Sequence, residues 1–308
     1  MVKRTLEISS EGMHLCVQDR QLLILPHGRK KSECEPRNRV PAEDLGFVVV
    51  DHRDTTYSHS ALALMAEVGA VLVVCGGDHL PAGMLLPMAE HTEVVWRIDD
   101  QINIGKVTQK QVWSEIVEAK VRAQASLLDV DSETRREIEN LSRRVRSGDP
   151  ENIESQAARY YWSALLGGSF RRTPGTVSGG AANAFLDYGY ALLRAAVART
   201  LVGAGLLPAI GIKHSNRSNA FCLADDLMEP LRPMVDRRAR FLVNHGHATL
   251  DPHAKRSLLP VLTETVRTRA GEGPLHVVLP RFVSSYAERL RGGKASLEIP
   301  EMTEVPGL

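Results

Sequence analysis

The stretch from Gly211 to Asp236 reads G-I-K-H-S-N-R-S-N-A-F-C-L-A-D-D-L-M-E-P-L-R-P-M-V-D and gathers a histidine with several carboxylates. Asp226 and Glu229 are three apart, so on a helix they leave from one face. Asp225 sits about 100° round from Asp226, and Leu223, Leu227 and Leu231 form the packed side. Like charges so placed repel unless a cation sits between them. His214 lies just upstream on a Ser/Asn-rich turn and could fold back to that face. A histidine with two or three carboxylates is a divalent-metal donor set. A solvated acidic helix face with an unrelated loop histidine would read the same, and spacing alone leaves both open. Glu154 heads a second stretch, E-S-Q-A-A-R-Y-Y-W, early in a helix opened by Asp149-Pro150. It is either a first-turn glutamate favoured by the helix dipole or a catalytic carboxylate. Ala157 and Ala158 beside it allow another backbone to come close.

Phosphodiester chemistry would use such a set. The phosphorus is shielded by anionic oxygens, and the departing oxygen is a poor leaving group. A divalent ion neutralises the phosphate, helps to activate the nucleophile and stabilises the leaving oxygen. Carboxylates suit Mg²⁺, and an imidazole ligand also accommodates Mn²⁺. Around the acidic spot in sequence stand Arg143, Arg144, Arg146, Arg171, Arg172, Arg232, Arg237, Arg238 and Arg240. Residues 141–300 hold 22 Lys+Arg against 13 Asp+Glu, a balance of +9, although Phe221–Pro230 contributes −3. An anionic pocket in a cationic field would take metal at its centre and DNA backbone around it. Arginines tied up in helix-surface ion pairs would give the same count.

Two kinds of element must position these residues. Thr5–Ser9, Met13–Val17, Gln21–Leu25 and Phe47–Val50 read as strands, the first three at hairpin distances. Gly28 to Arg39 is charged and apolar-poor, an exposed loop. Ser60 to Val68 puts Leu62, Met65 and Ala66 on one helical face, and Ala70–Cys75 is a β-branched run. Together with Phe47–Val50 they predict a strand–helix–strand insertion in a small β-domain. Beyond it helices dominate. Thr108-x-x-Gln111 predicts a capping box opening a helix to about Leu128. Others are expected from Asp131-Ser132 to Arg146, from Asp149-Pro150, and over Ala181–Val202, Asn219–Leu242, His253–Thr268 and Pro280–Leu290. Gly175–Gly180 reads as a flexible loop without a role, and the tail after Gly292 as loose. The fold class is α+β: a β-domain with its linker over residues 1–100, an all-α catalytic domain over 101–292, and a tail over 293–308.

The composition admits this reading only when it is divided. With 308 residues and 43% hydrophobic content the chain can bury a sizeable core. Its 38 Lys+Arg and 37 Asp+Glu leave +1, which taken whole argues against a protein that coats DNA or an acidic membrane. Residues 1–100, however, hold 10 basic against 15 acidic side chains, and residues 101–308 hold 28 against 22. Ala181 to Ile212 is the most apolar region, but Asp187, Arg194 and Arg199 interrupt it, so no membrane span is expected. Met1–Glu7 has no apolar run, and Cys16, Cys34, Cys75 and Cys222 lie far apart without a C-x-x-C pair. The expected location is the reducing cytoplasm.

With these motifs in order, the sequence resembles the CRISPR-associated integrase, the endonuclease subunit of the spacer-acquisition complex, in its type II form. The likeness is carried by Asn183-Ala184-Phe185-Leu186-Asp187-Tyr188-Gly189-Tyr190, by Gly205-Leu206-Leu207-Pro208 with Gly211-Ile212-Lys213-His214, by Asp226-Leu227-Met228-Glu229-Pro230 before Arg232-Pro233, and by the E-x-x-A-A-R segment at Glu154. Gly83-Met84-Leu85-Leu86-Pro87 is similar to that family's β-domain. The resemblance implies Mg²⁺ or Mn²⁺ held by Glu154, His214 and Glu229, with Asp226 a further ligand or a neighbour of the ligands. It implies a homodimer, two of which are bridged by a pair of small partner subunits. The implied reaction is transesterification, in which the 3′-hydroxyl of a captured double-stranded DNA fragment attacks a phosphodiester at the edge of a CRISPR repeat. Water in place of the hydroxyl gives nuclease activity. Arg143, Arg146, Arg171, Arg172, Arg232, Arg237 and Arg238 are the candidates for holding DNA. Lys213 and Asp187 depart from the family pattern, Asp187 standing where Asn is frequent. The rival reading is a non-catalytic, basic helical DNA-binding module.

Overall fold

The structure, a computed structural model, describes residues 3–29, 32, 34–88, 91–175 and 179–305. Strands β1 (Arg4–Ile8), β2 (Met13–Gln18), β3 (Gln21–Pro26), β4 (Asn38–Pro41), β5 (Leu45–Val50), β6 (Thr56–Tyr57), β7 (Val71–Cys75) and β8 (Pro81–Leu85) form two sheets, with α1 (His59–Glu67) before β7. One sheet has the order β1-β5-β7-β8 and the other β4-β3-β2-β6. The predicted strand–helix–strand unit is β5–α1–β7, whose strands pair in parallel with Phe47 opposite Val71. β1 and β2 do not form a hairpin: β1 crosses to the other sheet and pairs in parallel with β5. Only β2 and β3 are joined tightly, at Asp19 and Arg20, whose φ of 50° and 54° supplies the positive φ that a two-residue hairpin turn requires. β4 begins inside the segment read as a loop, of which residues 30, 31 and 33 lie outside the described residues.

β5 is buried along its whole length because it has a core on each face. Alternation sends Phe47 and Val49, with Val71 and Val73, into the core shared with the helices. Val48, Val50 and Leu72 go the other way, to meet Leu15, Leu22 and Ile24 of the second sheet. α1 buries Ala61, Leu64 and Met65. That face is rotated from the Leu62, Met65, Ala66 stripe read from the sequence.

The remainder is mainly helical: α2 (Val94–Ile102), α3 (Lys106–Ser126), α4 (Glu133–Arg143), α5 (Ile153–Leu166), α6 (Gly180–Gly203), α7 (Cys222–Met228), α8 (Arg232–Asn244), α9 (Pro252–Leu258) and α10 (Leu275–Leu290). α3 starts at Lys106 with Gly105 as its cap and no side-chain cap bond, so the expected capping box at Thr108 is not made. Ser132 does cap α4, accepting from the Arg135 amide at 3.2 Å. The helix expected over Asn219–Leu242 is instead α7, a 3-10 turn at Glu229–Leu231, and α8. Pro230 and Pro233 lack the amide hydrogens that a continuous helix would need there. The helix expected over His253–Thr268 also stops early, and β9 (Thr265–Thr268) pairs with β10 (Gly271–Pro274) and β11 (Glu301–Met302). The tail after Gly292 is therefore held: Met302 lies opposite Val266, and Leu297 is buried. α10 begins at Leu275, which places Pro280 inside the helix. Residues 176–178 of the loop predicted at Gly175–Gly180 lie outside the described residues, and Gly180 already belongs to α6.

α6 runs through the centre of the helical part. At Gly189 a Cβ would stand 2.3 Å from Val235 Cγ1, so the bare backbone lets α8 cross close against α6. Among the described residues no helix is long and apolar enough to cross a membrane. Among the described residues no disulfide is formed.

Candidate metal-binding active site

Glu154 is fixed by the way α5 starts. Asp149 is not the N-cap with Pro150 at the first helical position, as the Asp-Pro signal predicted: α5 begins at Ile153 with Asn152 at its cap, and Asp149 adopts φ 48° three residues before Asn152. Its carboxylate reaches forward to accept from the amides of Ile153 (2.8 Å) and Glu154 (3.1 Å). Two of the orphan donors of the first turn are thereby satisfied, and the Glu154 backbone is pinned.

Glu154 then meets a residue that the sequence reading did not single out. Lys120 of α3 places Nζ 2.6 Å from Glu154 Oε1 and 2.5 Å from Glu229 Oε2. Glu229, on the 3-10 turn, also pairs through Oε1 with Arg232 Nε at 3.0 Å. The Arg232 guanidinium lies over the Tyr190 ring, 4.6 Å from its centroid. Burial alone would lower the Lys120 pKa, but Glu229 and Glu154 outweigh it and hold it above the ordinary lysine value. Burial alone would raise Glu229, but Arg232 and Lys120 outweigh that and hold its carboxyl below the usual range. A signal for Lys120 was present. Val112, Trp113, Ile116, Val117, Val121 and Ala125 form the buried stripe of α3, and Lys120 falls on that stripe. A lysine at a core position needs a partner.

The histidine is organised from beneath. Asp226 is fully buried. Its Oδ2 accepts from the amides of Ile212 (2.6 Å) and Lys213 (2.9 Å), and its Oδ1 faces His214 Nδ1 at 2.5 Å. Gly211 makes this wrap possible, since a Cβ there would lie 2.2 Å from the His214 carbonyl oxygen and 3.0 Å from Asp226 Oδ2. Trp113 packs against the imidazole nearly at right angles, with centroids 6.1 Å apart. The hydrogen bond to Asp226 raises the His214 pKa. Because Asp226 holds Nδ1, Nε2 is the ring atom left to bind a metal, the arrangement that orients ligating histidines generally. Both Asp226 oxygens are turned inward, so the structure places it as the group that orients His214. Asp225 is likewise engaged, by Arg194 Nε at 2.7 Å and Asn219 Nδ2 at 2.7 Å.

The residues present fit a hard divalent ion. Two carboxylates from separate elements converge on one cation, and buried Glu229 Oε2 has no aligned hydrogen-bond donor although Lys120 is in ionic contact. The donors do not, however, close into a ready-made cage. Among the described residues the trio with ligand atoms mutually within 4.8 Å is His247, Asp251 and His253, on the turn before α9 and in its first turn. Lys120 and Glu229 line a cavity of about 520 Å³ together with Trp162, Arg172, Tyr190, Arg194 and Arg232, and Glu154 pairs with that Lys120.

The candidate arginines divide. Arg237 and Arg238 are buried and share Glu264, at 2.9 Å to Oε2 and 2.5 Å to Oε1. Arg237 also donates to the Thr303 carbonyl and Arg238 to that of Ser257, both main-chain oxygens. These two are corrected from DNA contacts to internal braces, because their face of α8 turns towards α9 and the C-terminal strands. Arg172 is engaged by Asp187 and Asn183 and lies 5.4 Å from the Tyr190 ring centroid. Arg171 donates to the carbonyls of Gly168 and Phe170, Arg146 pairs with Glu151, and Arg143 is exposed at the end of α4.

Residues 6–270 match the family described as CRISPR associated protein Cas1. The CRISPR-associated endonuclease Cas1 of Neisseria meningitidis serogroup C (strain 8013) is 36% identical over 307 residues, covering 98% of this chain and 97% of that protein. Among solved structures, a casposase bound to integration product superposes with a TM-score of 0.77 at 19% identity, covering 96% of this chain and 93% of the casposase. A Cas6-RT-Cas1–Cas2 complex gives 0.72 at 16% identity, covering 98% of this chain and 36% of that one. The strands and helices described above are thus the Cas1 fold, and the chain belongs to the Cas1 family of CRISPR-associated proteins.

Proposed function

We propose that this chain is the metal-dependent DNA integrase and endonuclease of CRISPR adaptation, with Glu154, Glu229 and His214 Nε2 holding Mg²⁺ or Mn²⁺. The observation that carries the reading is the convergence of Glu154 and Glu229 on a single buried cation beside a histidine oriented by Asp226. When bound, the ion would neutralise the phosphate and stabilise the leaving oxygen. The chain's own side chains do the rest. Lys120 and Arg232 cancel the two glutamates, so a divalent ion would leave the centre net positive and suited to an anionic phosphodiester. Arg172 and Arg194 on the cavity wall hold neighbouring phosphates. Asp226 keeps the His214 proton on Nδ1, so Nε2 presents a lone pair. The nucleophile of strand transfer is the 3′-hydroxyl of a duplex fragment, and water gives cleavage.

Arg143, Arg146 and Arg171 are exposed and extend the basic surface for DNA. Homodimer formation has an apolar surface to bury in Val95, Trp96, Ile102 and Val107, all exposed around α2 and the start of α3. A small Cas2-type subunit is the expected partner, as in the complex named above. The test is strand transfer of a short duplex into a repeat-bearing plasmid with that partner present. Activity is expected to vanish with EDTA and return with Mn²⁺. DNA binding without any metal-dependent joining or cleavage would leave the non-catalytic module as the answer.

A further inference from the structure

Lys120 presents a physical conflict with the metal reading on which this inference rests. Its ammonium is in ionic contact with the oxygens of Glu154 and Glu229 that a divalent ion would use. A monovalent and a divalent cation sharing those oxygens would stand a few ångströms apart in a buried setting, where like charges repel strongly. One of them must leave. Lys120 is able to: its charge sits on a flexible four-carbon stem, and it lines the cavity that also holds Arg172, Arg194 and Arg232.

We propose that Lys120 is a built-in stand-in cation, which holds the two carboxylates in the metal-free protein, competes with the incoming ion, and turns its ammonium into the cavity when that ion binds. Buried Glu229, which otherwise has Arg232 alone, and half-buried Glu154 thus keep a cation between them in both states. The released ammonium adds a cation to the wall against which a phosphodiester would lie. Lys120 thereby sets how tightly the metal is held, acting through Glu154 and Glu229.

Mn²⁺ affinity is the direct measure. His247, Asp251 and His253 could bind Mn²⁺ themselves, so the titrations use a His253→Ala background, alone and with Lys120→Met or Glu229→Gln. Removing the competitor with Lys120→Met is expected to tighten Mn²⁺ binding about tenfold, within the ordinary range for coupled sites, and to lower the melting temperature of the metal-free protein. Glu229→Gln is expected to abolish this binding. If Glu229→Gln leaves Mn²⁺ binding unchanged, the metal site itself is misassigned and the inference falls with it. If Glu229→Gln abolishes binding while Lys120→Met binds no more tightly than the background, the metal site stands and the role of Lys120 is overturned. Should Lys120→Met not fold, reductive methylation of wild-type protein, read by mass spectrometry, decides. Mn²⁺ is expected to raise the methylation rate of Lys120, and an unchanged or lower rate overturns the proposal.

Discussion

Two buried charge clusters lie on either side of α8, and they are built on opposite principles. Around Glu264 one carboxylate serves two arginines, and each guanidinium also reaches a main-chain carbonyl. Around Lys120 two carboxylates converge on one ammonium, and Glu229 Oε2 is left without an aligned donor. In the Glu264 cluster both carboxylate oxygens are taken, the spare group is a donor (Arg237 Nε), and the cluster faces α9 and the C-terminal strands. The Lys120 cluster leaves Glu229 Oε2 without an aligned donor, although Arg232 pairs with the other oxygen, and it borders a cavity walled by arginines. A carboxylate whose two oxygens are already held by two cations braces the fold, whereas a carboxylate pair with spare acceptor capacity can take up another cation. Burial of charge alone does not separate the two clusters; the acceptor capacity left on their carboxylates does.

That contrast is most sharply broken at Glu229. Glu229→Gln keeps the shape and removes the charge, and it is expected to lower metal-dependent strand transfer by about a thousandfold, several kcal/mol of lost charge stabilisation. Wild-type rates in a Glu229→Gln protein would put the two clusters in one class. The converse substitution is Glu264→Gln. It leaves two buried guanidinium groups short of a counter-charge and is expected to cost about 3–5 kcal/mol of stability, measured by urea denaturation. Mn²⁺ affinity of the folded protein should be unchanged, and a weakened metal site would show that the clusters are coupled through α8.

How much of this was legible beforehand differs between the same two places. Glu154, His214 and Glu229 could be singled out from residue type, spacing and family likeness, because motifs record chemistry directly. Lys120 was not, although it falls on the apolar stripe of α3, because its partners appear only when α3, α5 and the 3-10 turn meet. Arg237 and Arg238 were misread because a count of charge does not say which face of a helix is covered. At the level of the fold, the strand–helix–strand unit and most helices followed from periodicity. The partner of β1, the break at Pro230 and the strand at Thr265–Thr268 depend on contacts from distant parts of the chain, which periodicity does not record.

Asp226 tests where the boundary between bracing and function runs. It is fully buried, like Glu264, and binds main-chain amides, yet its other oxygen holds His214. Asp226→Asn is expected to weaken Mn²⁺ binding about 10–100-fold, as loss of the group behind a ligating histidine does. A fall in stability without any change in Mn²⁺ affinity would move Asp226 to the bracing side.

The smallest expected effect is on pH, at Asp236 beneath the cavity. Tyr161 and Tyr190 donate their hydroxyls to its two oxygens, at 2.7 Å and 2.5 Å. Burial nonetheless raises its pKa from 3.8 to about 6. The folded protein therefore holds this proton more tightly than the unfolded chain. The resulting stabilisation is fully present below the unfolded value and is lost as pH rises through about 6. Between pH 7.5 and 5 the folded form gains roughly one unit's worth of protonation, or about 1.4 kcal/mol. Denaturation of wild type and Asp236→Asn at these two pH values should show the wild type gaining that amount relative to the variant on acidification. A difference that stays flat with pH would mean that Asp236 remains ionised throughout, balanced by Lys120 and Arg232 in the same way as Glu229. The Lys120 cluster would then include a third carboxylate.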